Sequence, residues 1–276
     1  MDHFANSGNS KAGYESYVEV EGARLFYRLD GAAGAPALVL INSLGLSLEM
    51  WDPQVPRLAT RFRLLRYDCR GHGRSAIPSG PYTLDQLGRD LLRLLDGLEI
   101  ENAAICGLSL GGMVALWMAA HHRARLSRVV LANTGARIGT EETWKERIQA
   151  IQQGGMAAVQ GTVVGRFLSA AYRQRHPEVA EWVANMLIAT PPAGYIAACQ
   201  ALAMADLHDA LPPTPIPCLV IGGTEDQATP PEKAEELHSL IPGSELALLP
   251  GAPHLSNVEQ ADTFTALLVA FLSRTN

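Results

Sequence analysis

Gly107-Leu108-Ser109-Leu110-Gly111 sets one serine between two glycines, each two positions away. A serine hydroxyl is a weak nucleophile at neutral pH, so chemistry at this residue needs a base within reach and an acid to orient that base. The flanking residues give the pattern its meaning. Ala103 to Cys106 reads as a buried strand, and Met113, Val114, Leu116, Trp117 and Ala120 recur at helical spacing, so an amphipathic helix is expected to follow the turn. A serine on so sharp a strand-to-helix turn sits in strained backbone, and the glycines let strand and helix approach with no Cβ between them. The turn also aims free N–H groups, at the positive end of the helix dipole, to where negative charge would develop. Alone, the five-residue pattern is weak, because a Gly-Ser helix start uses the same letters.

The base and acid must come from other loops. After the apolar stretch Cys218 to Ile221 comes Gly222-Gly223-Thr224-Glu225-Asp226-Gln227, and after Glu245 to Leu249 comes Gly251-Ala252-Pro253-His254. Of the eight histidines only His238 and His254 follow these acids. His238 falls inside a charged helix at a solvated position, which leaves His254 as the base. Asp226 is favoured over Glu225, since its shorter side chain suits a buried contact and it lies nearer the helix that Thr229 is expected to cap. The order serine, acid, histidine is the one used by α/β-hydrolases. In such a site the backbone N–H groups of Leu44 and Leu110 are the expected oxyanion donors. Asp68 and His72, in Asp68-Cys69-Arg70-Gly71-His72-Gly73, offer the same residue types but read as a glycine-flanked turn closed by an Asp–Arg interaction. His121 and His122 end a helix without an accompanying carboxylate or histidine cluster, so no metal site is expected.

Positioning three side chains from three loops requires a sheet whose strands end on one side. Tyr17 to Val20 and Leu25 to Tyr27 read as a hairpin around Glu21-Gly22-Ala23-Arg24, and Ala37 to Ile41 as a central strand running into Asn42-Ser43-Leu44-Gly45. A short helix near Trp51 to Ala59 and a strand from Phe62 to Tyr67 follow. Thr83 and Gln86 form a capping box ahead of a helix whose buried stripe is Leu84, Leu87, Leu91, Leu94, Leu95 and Leu98. Leu126 to Leu131 is another strand, but the next does not begin until Cys218, far more chain than one crossover helix needs. The intervening residues, rich in Ala, Met, Gln and Glu, predict an inserted helical cap. The expected organisation is a mobile extension over residues 1–14, an α/β core over 15–135 and 208–276, and a cap over 136–207. The core is a mostly parallel central sheet with helices on both faces, closed by a C-terminal helix near 257–273.

Composition narrows the partners. At 276 residues, 47% hydrophobic and 18% charged, the chain is globular and long enough for a large core. A net charge of -6 argues against nucleic acid or an anionic membrane, both of which need a basic face. No apolar run approaches the roughly 18 residues of a membrane span, and the polar N-terminus lacks a secretory apolar region. The four cysteines, Cys69, Cys106, Cys199 and Cys218, show no paired spacing and read as reduced packing residues, which fits a cytoplasmic protein.

With these motifs in place the chain resembles the 3-oxoadipate enol-lactonases within the α/β-hydrolases, from about residue 16 onward. The resemblance rests on NSLG at 42–45, MWDPQ at 50–54, LRYDCRGHGRS at 65–75, GLSLGGMV at 107–114, LANTGARIG at 131–139, TPPAGY at 190–195 and PHLSNVE at 253–259. Most of the wider superfamily carries His-Gly at Asn42 and Ser43. Leu110 departs from the common methionine and Cys69 from the common threonine. The resemblance implies opening of 3-oxoadipate enol-lactone to 3-oxoadipate without a cofactor, on a small anionic substrate. It also implies a cation for the substrate carboxylate, for which Arg137 is the candidate, with Trp144 as a pocket wall. A general carboxylesterase, another lactonase, a carbon–carbon bond hydrolase, a perhydrolase or a hydrolase-like binding protein remain open alternatives, since fold does not set substrate.

Overall fold

A computed structural model describes residues 13–211 and 216–274. The strands are β1 (Tyr14–Val20), β2 (Ala23–Asp30), β3 (Ala37–Ile41), β4 (Arg63–Tyr67), β5 (Ala103–Leu108), β6 (Leu126–Ala132), β7 (Cys218–Gly223) and β8 (Glu245–Leu249). They form one sheet in the order β1-β2-β4-β3-β5-β6-β7-β8. The β1–β2 and β2–β4 pairs are antiparallel, and every other pair, from β4–β3 to β7–β8, is parallel. Parallel neighbours end on the same side, so the loops after β3, β5, β6, β7 and β8 share one edge.

The helices are α1 (Val55–Leu58), α2 (Leu84–Gly97), α3 (Leu110–His121), α4 (Glu141–Gly154), α5 (Ala157–Phe167), α6 (Ala170–Arg175), α7 (Pro177–Ala189), α8 (Pro192–Met204), α9 (Pro231–Leu240), α10 (Ser256–Glu259) and α11 (Ala261–Leu272). Every residue of β5 and β7 is buried, which requires covering layers on both faces of the sheet centre. Five helices, α4 to α8, run between β6 and β7, the stretch where the sequence lacks strand signals. None of the described helices is by itself long and apolar enough to cross a membrane.

Several elements differ from expectation for identifiable reasons. The extension expected over 1–14 lies outside the described residues as far as residue 12, and Tyr14 already belongs to β1. The hairpin turn is only Glu21-Gly22, with Gly22 at φ 69, so Ala23 and Arg24 belong to β2. The helix near Trp51 becomes a 3₁₀ turn over Leu48–Gln54, with Pro53 inside it, before the single turn of α1. The helix expected near 257–273 is broken at Gln260, whose backbone leaves the helical region and whose side chain donates to the Pro250 carbonyl. The helix after Ser109 is not amphipathic: Leu110 to Ala119 are all buried, because α3 packs against β3, β5 and β6 of the sheet and also against α2.

That close layering depends on Gly88 in α2. A Cβ there would lie 2.0 Å from Cε3 of Trp117 on α3, against the rigid indole. Gly88→Ala is therefore expected to destabilise the protein by about 1–3 kcal/mol by overpacking. Gly161→Ala in α5, where a Cβ meets nothing within 4 Å, should instead gain up to about 1 kcal/mol of helix propensity. Denaturant midpoints of the two variants check this pair of opposite signs.

Candidate active site

Ser109 sits on the turn between β5 and α3 with φ 58 and ψ -116, outside the regions non-glycine residues favour. Its neighbours leave no room for another design. A Cβ on Gly107 would fall 2.0 Å from the Gly111 carbonyl oxygen, and one on Gly111 would fall 2.3 Å from that of Ile41. The strained backbone is held from behind by Ser109 N–H donating to the Ala132 carbonyl, and by the Thr134 hydroxyl donating to the Ser109 carbonyl.

His254 lies just beyond β8, 1% exposed, with Nδ1 2.8 Å from Oδ2 of Asp226. Asp226 is 3% exposed, whereas Glu225 faces solvent. Besides His254, Asp226 accepts from the Asn133 amide at 2.9 Å, the Thr229 hydroxyl at 2.7 Å, and the backbone N–H groups of Ala228 and Thr229 at 2.8 and 2.9 Å. Burial pushes this carboxyl up, but the adjacent His254 and these hydrogen bonds outweigh it and bring the pKa down to about 2. A carboxylate at Nδ1 fixes the imidazole tautomer and leaves Nε2 for the cavity that His254 lines together with Ser109. Thr229 therefore has a different task from the expected one. Pro230 occupies the cap of α9, and the Thr229 hydroxyl is spent on Asp226.

Leu44 and Leu110 are 5% and 1% exposed, and their backbone N–H groups find no acceptor among the described residues. The loop carrying Leu44 is pinned by the next residue: Gly45 N–H donates to Nε2 of His72 at 3.0 Å, while His72 Nδ1 lies 3.0 Å from the Arg70 carbonyl. Burial lowers the His72 pKa, in keeping with a neutral ring that accepts at Nε2 and donates at Nδ1. Asp68 accepts from Leu48 and Arg74 N–H groups, and Arg70 pairs with Asp90 rather than with Asp68. The turn is structural, as expected, though a different acid closes it. His238 is exposed and bonds Ser244.

Ser109 and His254 open into a cavity of about 260 Å³, bordered also by Ser43, Leu44, Trp144 and Phe167. Trp144 is placed there as expected, its indole N–H donating to the Ile138 carbonyl at 2.7 Å. Arg137 is not. The residues on either side, Ala136 and Ile138, turn inward, which leaves Arg137 43% exposed and 3.5 Å from Asp206. The arginines lining the cavity are Arg147 and Arg166. Arg147 follows Trp144 by three residues on α4, a spacing that puts both on one helix face and was readable in the sequence. Arg166 and Asn133 carried no comparable signal. Phe167 stacks on His254 with ring centroids 5.3 Å apart, and its carbonyl accepts from Leu255 N–H.

Because the folded pKa of Asp226 is depressed from 3.8 to about 2, its carboxylate adds stability that is complete above the unfolded value and is lost as pH falls toward the folded one. The stability of the wild type over Asp226→Asn should thus be largest above about pH 4 and shrink toward about pH 2. Urea unfolding of both proteins across that range measures the gap, and a gap independent of pH would show that the carboxylate is not held ionised.

Comparison with known proteins identifies the family. The model of the alpha/beta hydrolase fold family matches residues 36–261. The 3-oxoadipate enol-lactonase 2 of Acinetobacter baylyi is 36% identical over 263 residues, spanning 95% of this chain and 98% of that protein. The crystal structure of the enol-lactonase from Burkholderia xenovorans superposes with a TM-score of 0.92 at 44% identity, covering 94% of this chain and 100% of that one. A hydrolase from Pseudomonas aeruginosa gives 0.91 at 43% identity, covering 98% and 100%. Similarity of this extent, running through every loop that carries Ser109, Asp226 and His254, means that the chain belongs to the α/β-hydrolases and, within them, to the 3-oxoadipate enol-lactonase family.

Proposed function

We propose that this ester-hydrolysing enzyme opens the ring of 3-oxoadipate enol-lactone through an acyl-enzyme on Ser109. The observation that carries the reading is the buried Asp226–His254 pair, 2.8 Å apart, beside a strained serine in the same cavity. The enol-lactonase relatives support the choice of lactone.

The chemistry follows from the positions. Ser109 Oγ attacks the lactone carbonyl and its proton passes to Nε2 of His254, while Asp226 holds the ring and balances the imidazolium charge. The resulting oxyanion takes the N–H groups of Leu44 and Leu110, a donor arrangement in which one member is typically worth about 3 kcal/mol. Collapse of the tetrahedral intermediate breaks the ring C–O bond. The departing enol oxygen receives the proton from His254 and the enol becomes a ketone, which makes it a good leaving group. Water then attacks the acyl ester, giving its proton to His254, and the second collapse frees the acid and restores Ser109. Trp144 walls the acyl pocket.

The ratio of kcat/KM on the enol-lactone to that on a neutral short-chain ester tests the substrate. A strong preference for the lactone is expected. Comparable rates would make the protein a general esterase with the same triad. Ser109→Ala should lower kcat by about 10⁴- to 10⁶-fold while leaving the unfolding transition in place, and turnover near the wild-type rate would remove Ser109 from the mechanism.

A further inference from the structure

The turn that carries Leu44 is tied to the inserted helices through its backbone. Leu44 and Gly45 form the middle of a four-residue turn closed by Leu46 N–H, which donates to the Ser43 carbonyl at 3.2 Å. Gly45 has φ 78, the positive value that a type II turn demands at its third residue. A Cβ there would fall 2.6 Å from Leu187 on α7 and 2.6 Å from Tyr195 on α8, so the insertion rests directly on this turn. Thr190, the residue after α7, is 2% exposed and donates its hydroxyl to the Gly45 carbonyl at 2.9 Å. The Met186 carbonyl, one helical turn back, lies farther from the same hydroxyl, at 3.2 Å.

These contacts follow the covalent order of the chain. A trans peptide unit joins one residue's C=O to the next residue's N–H in one plane, the two pointing opposite ways. The Thr190 hydroxyl grips the unit whose other end is Leu46 N–H, and Leu46 N–H in turn grips the unit whose other end is Leu44 N–H. The unit between them is held from the core, where Gly45 N–H donates to His72. Hydrogen bonds arranged head to tail polarise one another, by about 10–30% per bond. The free N–H of Leu44 is therefore the last donor of a chain that starts on a side chain of the insertion.

We propose that Thr190 is a positioning residue for acyl transfer: its hydroxyl, acting through two peptide units, aims and polarises the Leu44 N–H that receives the oxyanion. This rests on the acyl-enzyme reading of Ser109 and holds whichever ester or lactone is hydrolysed. The insertion thereby takes part in the bond-making step as well as enclosing the cavity. A donor tuned in this way matters only when charge forms on the substrate oxygen, so its loss falls on kcat and not on KM. Removing an oxyanion donor outright costs about 10²- to 10³-fold in kcat, and loosening one through its relay costs a fraction of that, about three- to tenfold.

Thr190→Val removes the hydroxyl and keeps the branched shape, whereas Thr190→Ser keeps the hydroxyl. Each variant is assayed on a neutral short-chain ester and against a short-chain alkyl trifluoromethyl ketone. Ser109 Oγ adds to the carbonyl carbon of that ketone, its proton passes to His254, and the carbonyl oxygen becomes an oxyanion. The corresponding methyl ketone, bound without addition, reports on the pocket alone. In Thr190→Val, kcat should fall about three- to tenfold with KM within about twofold of the wild type. Ki for the trifluoromethyl ketone should rise by the same factor, Ki for the methyl ketone should stay, and Thr190→Ser should restore the wild-type values. Ser169→Ala breaks another bond between insertion and core, to Glu259, and should leave the ratio of the two Ki values as in the wild type. Unchanged kcat and Ki in Thr190→Val overturn the relay. So does a loss shared equally by the methyl ketone, or one that Thr190→Ser does not restore, since either marks a displaced insertion. Thr190→Ala removes the same hydroxyl with less bulk and decides the matter if the valine variant does not fold. A trifluoromethyl ketone that fails to inhibit the wild type overturns the acyl-enzyme reading and the relay together. One that inhibits wild type and Thr190→Val alike overturns the relay alone.

Discussion

A carboxylate kept ionised although it is almost wholly buried is the constraint on which the rest of this structure depends. Asp226 is held by donors from three separate parts of the sheet edge: Asn133 just past β6, Thr229 just before α9, and His254 just past β8. Each donor needs its own loop at the correct height. The parallel register of β6, β7 and β8 provides that, because parallel neighbours bring their exit loops to one edge. The same network reaches further through Asn133, whose side-chain carbonyl oxygen accepts from the Ser256 hydroxyl and so ties the loop after β6 to the start of α10. A buried charge with this many donors is both an electrostatic anchor for the imidazole and a fastener for three loops at the sheet edge.

The backbone at Ser109 is the second fixed point, and it shows why glycine spacing is informative where residue type alone is not. Gly107 and Gly111 face carbonyl oxygens at distances no Cβ tolerates, so the pattern records a steric necessity. Asp68 and His72 show the reverse. They have catalytic residue types at close spacing, yet both spend their hydrogen bonds on backbone, with His72 holding Gly45 beside Leu44.

The sheet was legible because its strands are short apolar runs bounded by turn residues; β3 and β8 fall where the pattern puts them. Ser109, Asp226 and His254 were legible because each follows such a run in a recognised order. What stayed hidden depends on tertiary layering. The all-round burial of α3 cannot be told from amphipathicity when only part of its surface is visibly patterned, and Thr229 looked like a helix cap because its true acceptor, Asp226, becomes its neighbour only on folding. The position of Arg137 was hidden for the same reason: nearness to a strand end does not say which way a side chain turns, and Arg137 turns out to Asp206 and does not line the cavity.

Phe167 gives the inserted helices a part in the surroundings of His254. Its ring lies nearly parallel to the His254 imidazole, the interplanar angle being 25° and the centroid separation 5.3 Å, and its carbonyl is bonded to Leu255 N–H next door. Contact with that ring covers one face of the imidazole, so any shift of the insertion would change the packing around His254 together with the shape of the cavity.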